Sequence, residues 1–300
     1  MYDIIVIGGG PAGLTAALYA LRAEKKVLVL EGRGFGGQIA YTNEVENYPG
    51  IAKMSGAQFA DTLVEQVISA GGEVSFENAA EIRGGSIKTV VTDSGEHEAK
   101  AVIAATGVRH RRLNVEGEER FIGSGVSFCA VCDGAFYRGK RVAVVGGGNT
   151  AVEDAIYLAD IAEKVYLIHR RDEFRAEPSL VRRMQEAENI ETVLDSTVTE
   201  IRGDELLSEI EVRNIKTDMR TILAVNGVFE AVGQLPQNEI FKGVLELSGD
   251  GYIVAGEDCV TSTAGIFAAG DCRTKNVRQL TTAVGDGAAA AVAACEYVSF

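Results

Sequence analysis

The sequence predicts an α/β protein built from two Rossmann-like, three-layer dinucleotide-binding domains, the second inserted into the first. Three observations carry this. A strand, a glycine turn, a helix and a second strand occur twice: YDIIVI, GGGPAG, an Ala/Leu-rich helix and KVLVLE near the start, then RVAVV, GGGNTA, AVEDAIYLADIAE and KVYLIHRR from Arg141. The register is the same in both, since Gly8 to Glu31 and Gly146 to His169 each span 23 positions. The last stretch, an apolar GIFAAGD strand and an Ala-rich helix, starts no third unit and needs a partner sheet to bury against.

In chain order, the first unit is followed by a Gly-rich loop (GRGFGGQ), a helix near Gly56–Ala70 and short alternating strands that suggest a β-meander. The second unit has a comparable meander from Glu191 to Val232, and the C-terminal segment is expected to return to the first domain. This divides the chain into residues 1–113 and 242–300 for the outer domain and 114–241 for the inserted one. Linkers are expected near Leu113–Glu116 and Pro236–Lys242, and paired crossings of that kind permit hinge rotation.

Composition agrees with this plan and removes several alternatives. With 300 residues, 46% of them apolar, the chain is long enough for two packed domains and too apolar for disorder. Its 35 glycines follow no collagen-like repeat and belong at turns and close approaches. A net charge of −14 opposes a nucleic-acid backbone. No basic region precedes the apolar N-terminus, so no signal peptide is read there, and no run reaches the roughly 18 apolar residues of a membrane span. A cytoplasmic protein is expected. Five cysteines without a secretory signal argue against a structural disulfide framework, which leaves redox or metal chemistry for any close pair.

Gly8-x-Gly10-x-x-Gly13, with Pro11 and Ala12 inside it, follows an apolar strand and opens a helix. In that context one glycine makes the turn, one admits a pyrophosphate, one allows helix–strand packing, and the helix N-terminus attracts the anion. Glu31 stands 18 positions after Gly13, where an acid binds a ribose 2′-hydroxyl. The second turn, Gly146-x-Gly148-x-x-Ala151, contains Asn149 and Thr150 and leads to a strand ending in His169, Arg170 and Arg171, with Arg175 nearby. Guanidinium groups bind a 2′-phosphate that a carboxylate would repel, so this unit reads as specific for NADPH over NADH. His169 has the alternative of packing against the adenosine. Two dinucleotide sites need two dinucleotides, and FAD in the acid-ended site makes hydride transfer to a flavin the economical reading.

Cys129-Ala-Val-Cys132-Asp133 lies just before the second unit. A C-x-x-C spacing closes a small ring, and a helix N-terminus there favours the thiolate that disulfide exchange needs. Zinc would need two further ligands, but Cys259, Cys272 and Cys295 are scattered and the three histidines form no ligand-spaced pair, so no metal is expected. Asp133 is either a first-turn helix acid or a general acid for dithiol chemistry.

Together these residues resemble the low-molecular-weight flavoprotein thioredoxin reductases. The resemblance rests on GGGPAG, the GGQ of Gly36, Gly37 and Gln38, ENYPG at Glu46–Gly50, ATG at Ala105–Gly107, CAVCDG, GGGNTAVE, HRRDEFRA, and FAAGD followed by Arg278 and Gln279. It covers essentially the whole chain and implies the FAD/NAD(P)-binding disulfide reductase fold. It further implies a homodimer, with an FAD domain split in sequence around an inserted NADPH domain that carries the cysteines. Additional flavin contacts are implied at Gln38, Asn47, Thr106, Gly107, Gly270, Asp271, Arg278, Gln279 and Leu280. Cys132 then faces the flavin, Cys129 attacks thioredoxin, Asp133 is the proton donor, and rotation of the NADPH domain presents nicotinamide and cysteines to the flavin in turn.

The chain departs from the family pattern in three places. Ala135-Phe136 stands where some relatives have two adjacent aromatics that contact thioredoxin, Gln234 replaces a frequent His, and one residue separates Pro236 from Asn238 in AVGQLPQN. Cys272 reads as a buried thiol. The rival reading is a reductase of another disulfide carrier, glutaredoxin-like or peroxiredoxin-linked. Relatives serving peroxiredoxins carry an N-terminal thioredoxin-like domain, whereas this sequence begins at its FAD fold. Ferredoxin-reducing flavoproteins lack the cysteine pair, and an intact CxxCD beside an NADPH site argues against a non-catalytic redox sensor.

Overall fold

The structure, a computed structural model, describes residues 1–42 and 44–299. It divides into two compact units, Met1–Arg109 with Leu235–Phe300, and His110–Gln234.

The first unit starts with β1 (Tyr2–Ile7), α1 (Pro11–Arg22), β2 (Val27–Leu30), α2 (Gly56–Ser69) and β3 (Glu73–Ser75). β4 (Ala79–Arg83), β5 (Lys88–Thr92), β6 (Glu96–Ala104) and β7 (Val108–His110) follow. A capping box starts α2: Ser55 accepts the Gln58 amide while the Gln58 side chain accepts the Ser55 amide. β3, β2, β1 and β6 are parallel neighbours, and β5 and β4 continue antiparallel beyond the first half of β6.

The second unit contains α3 (Glu118–Phe121), β8 (Val126–Ser127), α4 (Ala130–Asp133), β9 (Arg141–Gly146), α5 (Asn149–Ala159), β10 (Lys164–Ile168), α6 (Pro178–Gln185) and β11 (Ile190–Val193). An antiparallel meander of β12 (Ser196–Gly203), β13 (Leu207–Asn214) and β14 (Arg220–Ala224) precedes β15 (Gly227–Ala231). The parallel sheet runs β11-β10-β9-β15-β8. After β16 (Gln234–Pro236) the chain rejoins the first unit, where β17 (Ile266–Ala268) pairs with the second half of β6 and α7 (Leu280–Ser299) packs on α1. Gly287 permits that crossing, since a Cβ there would meet the Ala12 carbonyl oxygen at 2.3 Å.

Each parallel sheet is buried on both faces, which is why its strands read as continuous apolar runs. In β1, Ile4 and Val6 face the helices α1 and α7, whereas Ile5 and Ile7 face a layer with Ile82, Val90 and Phe241. In β9, Val142 and Val144 face α5, and Ala143 and Val145 face the meander with Val198, Ile210 and Val212. These four layers also set where the units begin. Leu113 and Val115 pack in the core of the second unit and Phe241 is fully buried in the first. The changeovers therefore fall at Arg109–His110 and Gln234–Leu235, earlier than the expected 113/114 and 241/242.

Candidate functional site

In the first unit, β1 hands the chain to Gly8 at φ 112°, and a Cβ on Gly13 would stand 1.9 Å from the Gly8 carbonyl oxygen, so the turn and the start of α1 require glycine at both positions. Gly10 is the N-cap and Pro11 follows, with no side chain capping the helix, which leaves first-turn amides for an external acceptor. Ala12 is buried. Just past β2, the Glu31 carboxylate accepts the amides of Gly9 and Arg33, each at 2.8 Å, and so is held against the turn. The Gly36 amide donates to the Gly9 carbonyl at 2.7 Å, and a Cβ on Gly37 would meet the Gly10 Cα at 3.5 Å. Gln38 next to them donates to the Val108 carbonyl at 2.9 Å.

The ends of β6 and β17, the loop before α2 and the approach to α7 supply the remaining predicted residues of this unit. Thr106 Oγ1 donates to Asn238 Oδ1 at 2.9 Å, and the Gly107 carbonyl accepts the Gln237 amide. Asn238 Nδ2 donates to the carbonyls of Gly251 and Cys272. Gly270 rests on Ala12, whose Cβ a side chain at 270 would meet at 2.8 Å, and its amide donates to Asp286 Oδ2 at 3.0 Å. Asp286 also pairs with Arg273 and Lys275, an ion triad inside α7's packed face. Burial raises the pKa of Asp271, and its Oδ1 is enclosed with no hydrogen-bond partner among the described residues. Arg278 donates to the Asp271 and Arg273 carbonyls and lies over the Tyr252 ring. Asn47 Nδ2 reaches Gln279 Oε1 at 3.4 Å, and Leu280 begins α7. Cys272 is fully buried, its thiol near the carbonyls of Ala104 and Ala269.

In the second unit Gly148 is the N-cap of α5, again without a side-chain cap, and Ala151 packs against Gly146. Asn149 is hydrogen-bonded through both side-chain ends to Glu177, the Arg175 amide donates to the Gly147 carbonyl at 2.7 Å, and Thr150 is exposed. The segment after β10 therefore folds back onto the glycine turn and carries Arg170, Arg171 and Arg175 there. All three are exposed, and none forms an ion pair among the described residues, whereas the adjacent Asp172 is neutralised by Lys216. His169 differs from the other three. It is 5% exposed, stacks on Phe174 and fills the space that a Cβ on Gly147 would need, at 2.1 Å from its ring. Burial lowers its pKa, so a neutral imidazole supports the turn from below.

Cys129 and Cys132 form a disulfide, with Cα atoms 5.3 Å apart. The helix between them is a single turn, so a macrodipole contributes little to a thiolate here. A direct bond takes that role: the Cys132 amide points at Cys129 Sγ at 3.2 Å. Asp133 closes the turn, its amide donating to the Cys129 carbonyl and its Oδ2 accepting from Ser127 Oγ at 2.5 Å. Burial raises the pKa of Asp133, and the Ser127 bond pulls it partly back. Val131 and Phe136 leave apolar surface exposed beside the pair.

The profile of the pyridine nucleotide-disulphide oxidoreductases matches residues 2–287. A thioredoxin reductase of Mycolicibacterium smegmatis is 43% identical over 295 residues, covering 97% of this chain and 95% of that protein. The chain belongs to the pyridine nucleotide-disulphide oxidoreductase family, in its thioredoxin reductase group. A bifunctional thioredoxin reductase/thioredoxin of Mycobacterium leprae is also 43% identical; the match takes in 97% of this chain and spans 65% of that protein. The crystal structure of a thioredoxin reductase from Streptococcus pyogenes superposes with a TM-score of 0.96 at 43% identity, covering 100% of this chain and 99% of the other.

The family uses FAD and NADPH, and the residues present fit both. Two uncapped helix N-termini open onto glycine turns, the enclosed Asp271 oxygen suits a ligand hydroxyl, and the unpaired arginines suit a phosphate. Two contributors carry no motif of their own, Ser127 and Asp286, and Asn238 stands in the AVGQLPQN stretch without its partners being legible there. Asp286 left a sequence signal as an acid within an apolar helix.

Proposed function

We propose that this chain is a thioredoxin-disulfide reductase that passes reducing equivalents from NADPH through FAD and the Cys129–Cys132 disulfide to oxidised thioredoxin. The observation that carries the reading is the disulfide itself, exposed apolar side chains at its edge and a half-buried acid at its end, in a chain with two open dinucleotide turns. In this reading the first unit holds FAD through Gly8, Gly10, Pro11, Ala12, Gly13, Glu31, Gly36, Gly37, Gln38, Asn47, Thr106, Gly107, Gly270, Asp271, Arg278, Gln279 and Leu280. The second holds NADPH through Gly148, Asn149, Thr150, Arg170, Arg171 and Arg175, with His169 bracing the turn.

When bound, the two cofactors supply the electron pair that opens the Cys129–Cys132 bond. Asp133 gives up a proton to the sulfur that needs one, and burial suits it to that task by keeping a population of the acid form above the ordinary carboxylate range. Cys129, as thiolate, attacks one carrier sulfur; a mixed disulfide forms and the other carrier sulfur leaves and takes up a proton. Cys132 then attacks Cys129 Sγ, which restores the pair and releases the carrier as a dithiol. The two chain crossings give the second unit a hinge about which cysteines and nicotinamide alternate. A homodimer working in the cytoplasm completes the proposal; no helix among the described residues is long and apolar enough to cross a membrane.

The test follows NADPH and NADH oxidation with thioredoxin for the wild type and Cys129→Ser. NADPH-selective, thioredoxin-dependent turnover that is lost in the variant is expected. Flavin reduction by NADPH without thioredoxin turnover would shift the assignment to a glutaredoxin-like or peroxiredoxin-linked carrier. A crosslink that locks the two units should stop turnover, and undiminished activity would remove the hinge.

A further inference from the structure

We propose that Ser127 is the positioning residue for the proton donor, tying the Asp133 carboxyl to the backbone of Cys129 and setting the pH range in which the donor works. This rests on the reading of Asp133 as that donor.

Ser127 is the last residue of β8, 5% exposed, and its backbone is fixed by pairing with Phe229 of β15. Its hydroxyl has one proton and two lone pairs. The proton goes to Asp133 Oδ2 at 2.5 Å, and a lone pair accepts the Cys129 amide at 3.1 Å. One oxygen atom thus joins the rigid strand, the first cysteine and the acid six residues downstream. The Asp133 amide returns to the Cys129 carbonyl at 3.1 Å, which fixes the backbone of the acid beside the cysteine and leaves the Ser127 bond to fix its carboxyl.

The chemistry explains why a hydroxyl belongs there. An acid that gives up its proton ends as a carboxylate, and a donor already aimed at that carboxylate stabilises it. Burial opposes the charge on Asp133, and Ser127 is the hydrogen bond that favours it. The other ionisable groups on the packed elements are the two cysteines, Tyr137 on the following turn, Glu153, Asp154 and Tyr157 on α5, and Glu230 on β15 beside Ser127's strand. Asp133 in turn raises the pKa of Tyr137, to about 12 after the larger effect of burial, so the phenol stays protonated and adds no charge. Without Ser127 the acid would hold its proton more tightly and lose its tether.

Four variants of the full-length protein test this: Ser127→Ala and Ser127→Val without the hydroxyl, Ser127→Thr with it, and Asp133→Asn. Thr and Val are isosteric, so their difference isolates the oxygen even if either shape costs some stability. Two quantities are read: the pH profile of NADPH-dependent disulfide turnover, and the pH profile of iodoacetamide alkylation of Cys129 after reduction by a small dithiol. Loss of the hydroxyl should lower turnover about tenfold and move the Asp133-dependent inflection of both profiles up by about one pH unit. Ser127→Thr should keep the wild-type position, and Asp133→Asn should lack the inflection. Profiles of Ser127→Ala and Ser127→Val that coincide with the wild type, while Asp133→Asn loses the inflection, overturn the assignment of Ser127 and leave Asp133 standing. An unchanged inflection in Asp133→Asn overturns the donor reading and this proposal with it.

Discussion

Thr106 donates its hydroxyl proton to the side-chain oxygen of Asn238, 132 residues away in sequence, across 2.9 Å. The same amide group donates to the Gly251 and Cys272 carbonyls, so one buried side chain holds together the end of β6, the turn at Gly270–Cys272 and the segment returning from the second unit. Removing it would leave buried carbonyls without a donor.

Asn238→Ala is therefore expected to cost about 2–4 kcal/mol of stability in the first unit and to weaken flavin retention, because the Thr106–Gly107 and Gly270–Asp271 turns lose their common anchor. Thermal unfolding and release of flavin fluorescence on dilution measure the two effects. Wild-type flavin retention would show that the anchor serves the fold alone.

Replacing Arg170 and Arg171 together by Ala should raise the KM for NADPH about 100-fold and leave that for NADH nearly unchanged, since charge-assisted bonds to a 2′-phosphate have no counterpart in NADH. An equal rise for both cofactors would place the arginines elsewhere in the site.

Gly147→Ala should destabilise the second unit by about 1–3 kcal/mol, because the new methyl enters the His169 ring. The double variant with His169→Ala makes room for it and should recover much of the loss in a melting experiment. Failure to recover would mean that the ring gives more by stacking on Phe174 than it takes in space.

Glu230 is 3% exposed, and its pKa is pushed up to about 8, first by burial and then by the charge of Glu118. Its ordinary value is 4.5, so between there and about pH 8 the unfolded chain releases a proton that the folded chain retains. The folded state binds more protons in that window, hence stability falls as pH rises through it. Glu230→Gln should flatten the decline of melting temperature between pH 5 and 8; a slope equal to that of the wild type would assign the loss to other groups.

How much of this was legible from sequence differs residue by residue. The glycine turns were readable because a pyrophosphate cradle needs local backbone features in a local order, strand, glycines, helix. The cysteine pair and the basic cluster were readable for the same reason. What escaped were tertiary contacts. Ser127 is an ordinary strand serine until Asp133 is folded back onto it, Asn238 belongs to a recognisable stretch but has no visible partners until β6 and the turn at Gly270–Cys272 meet it, and the contact of His169 with Gly147 depends on how β10 lies against the turn.

By itself the sequence determined the doubly wound α/β plan, the two dinucleotide turns with opposite charge at their strand ends, and the redox pair, since each depends on residue type and spacing over a few dozen positions. Only the tertiary structure decided where the units change over, that His169 packs against Gly147, and that Asn238, Asp286 and Ser127 hold neighbouring candidate residues in place. Those outcomes depend on contacts between segments far apart in the chain, made when sheet register and layer packing bring buried polar groups together and each must find a partner.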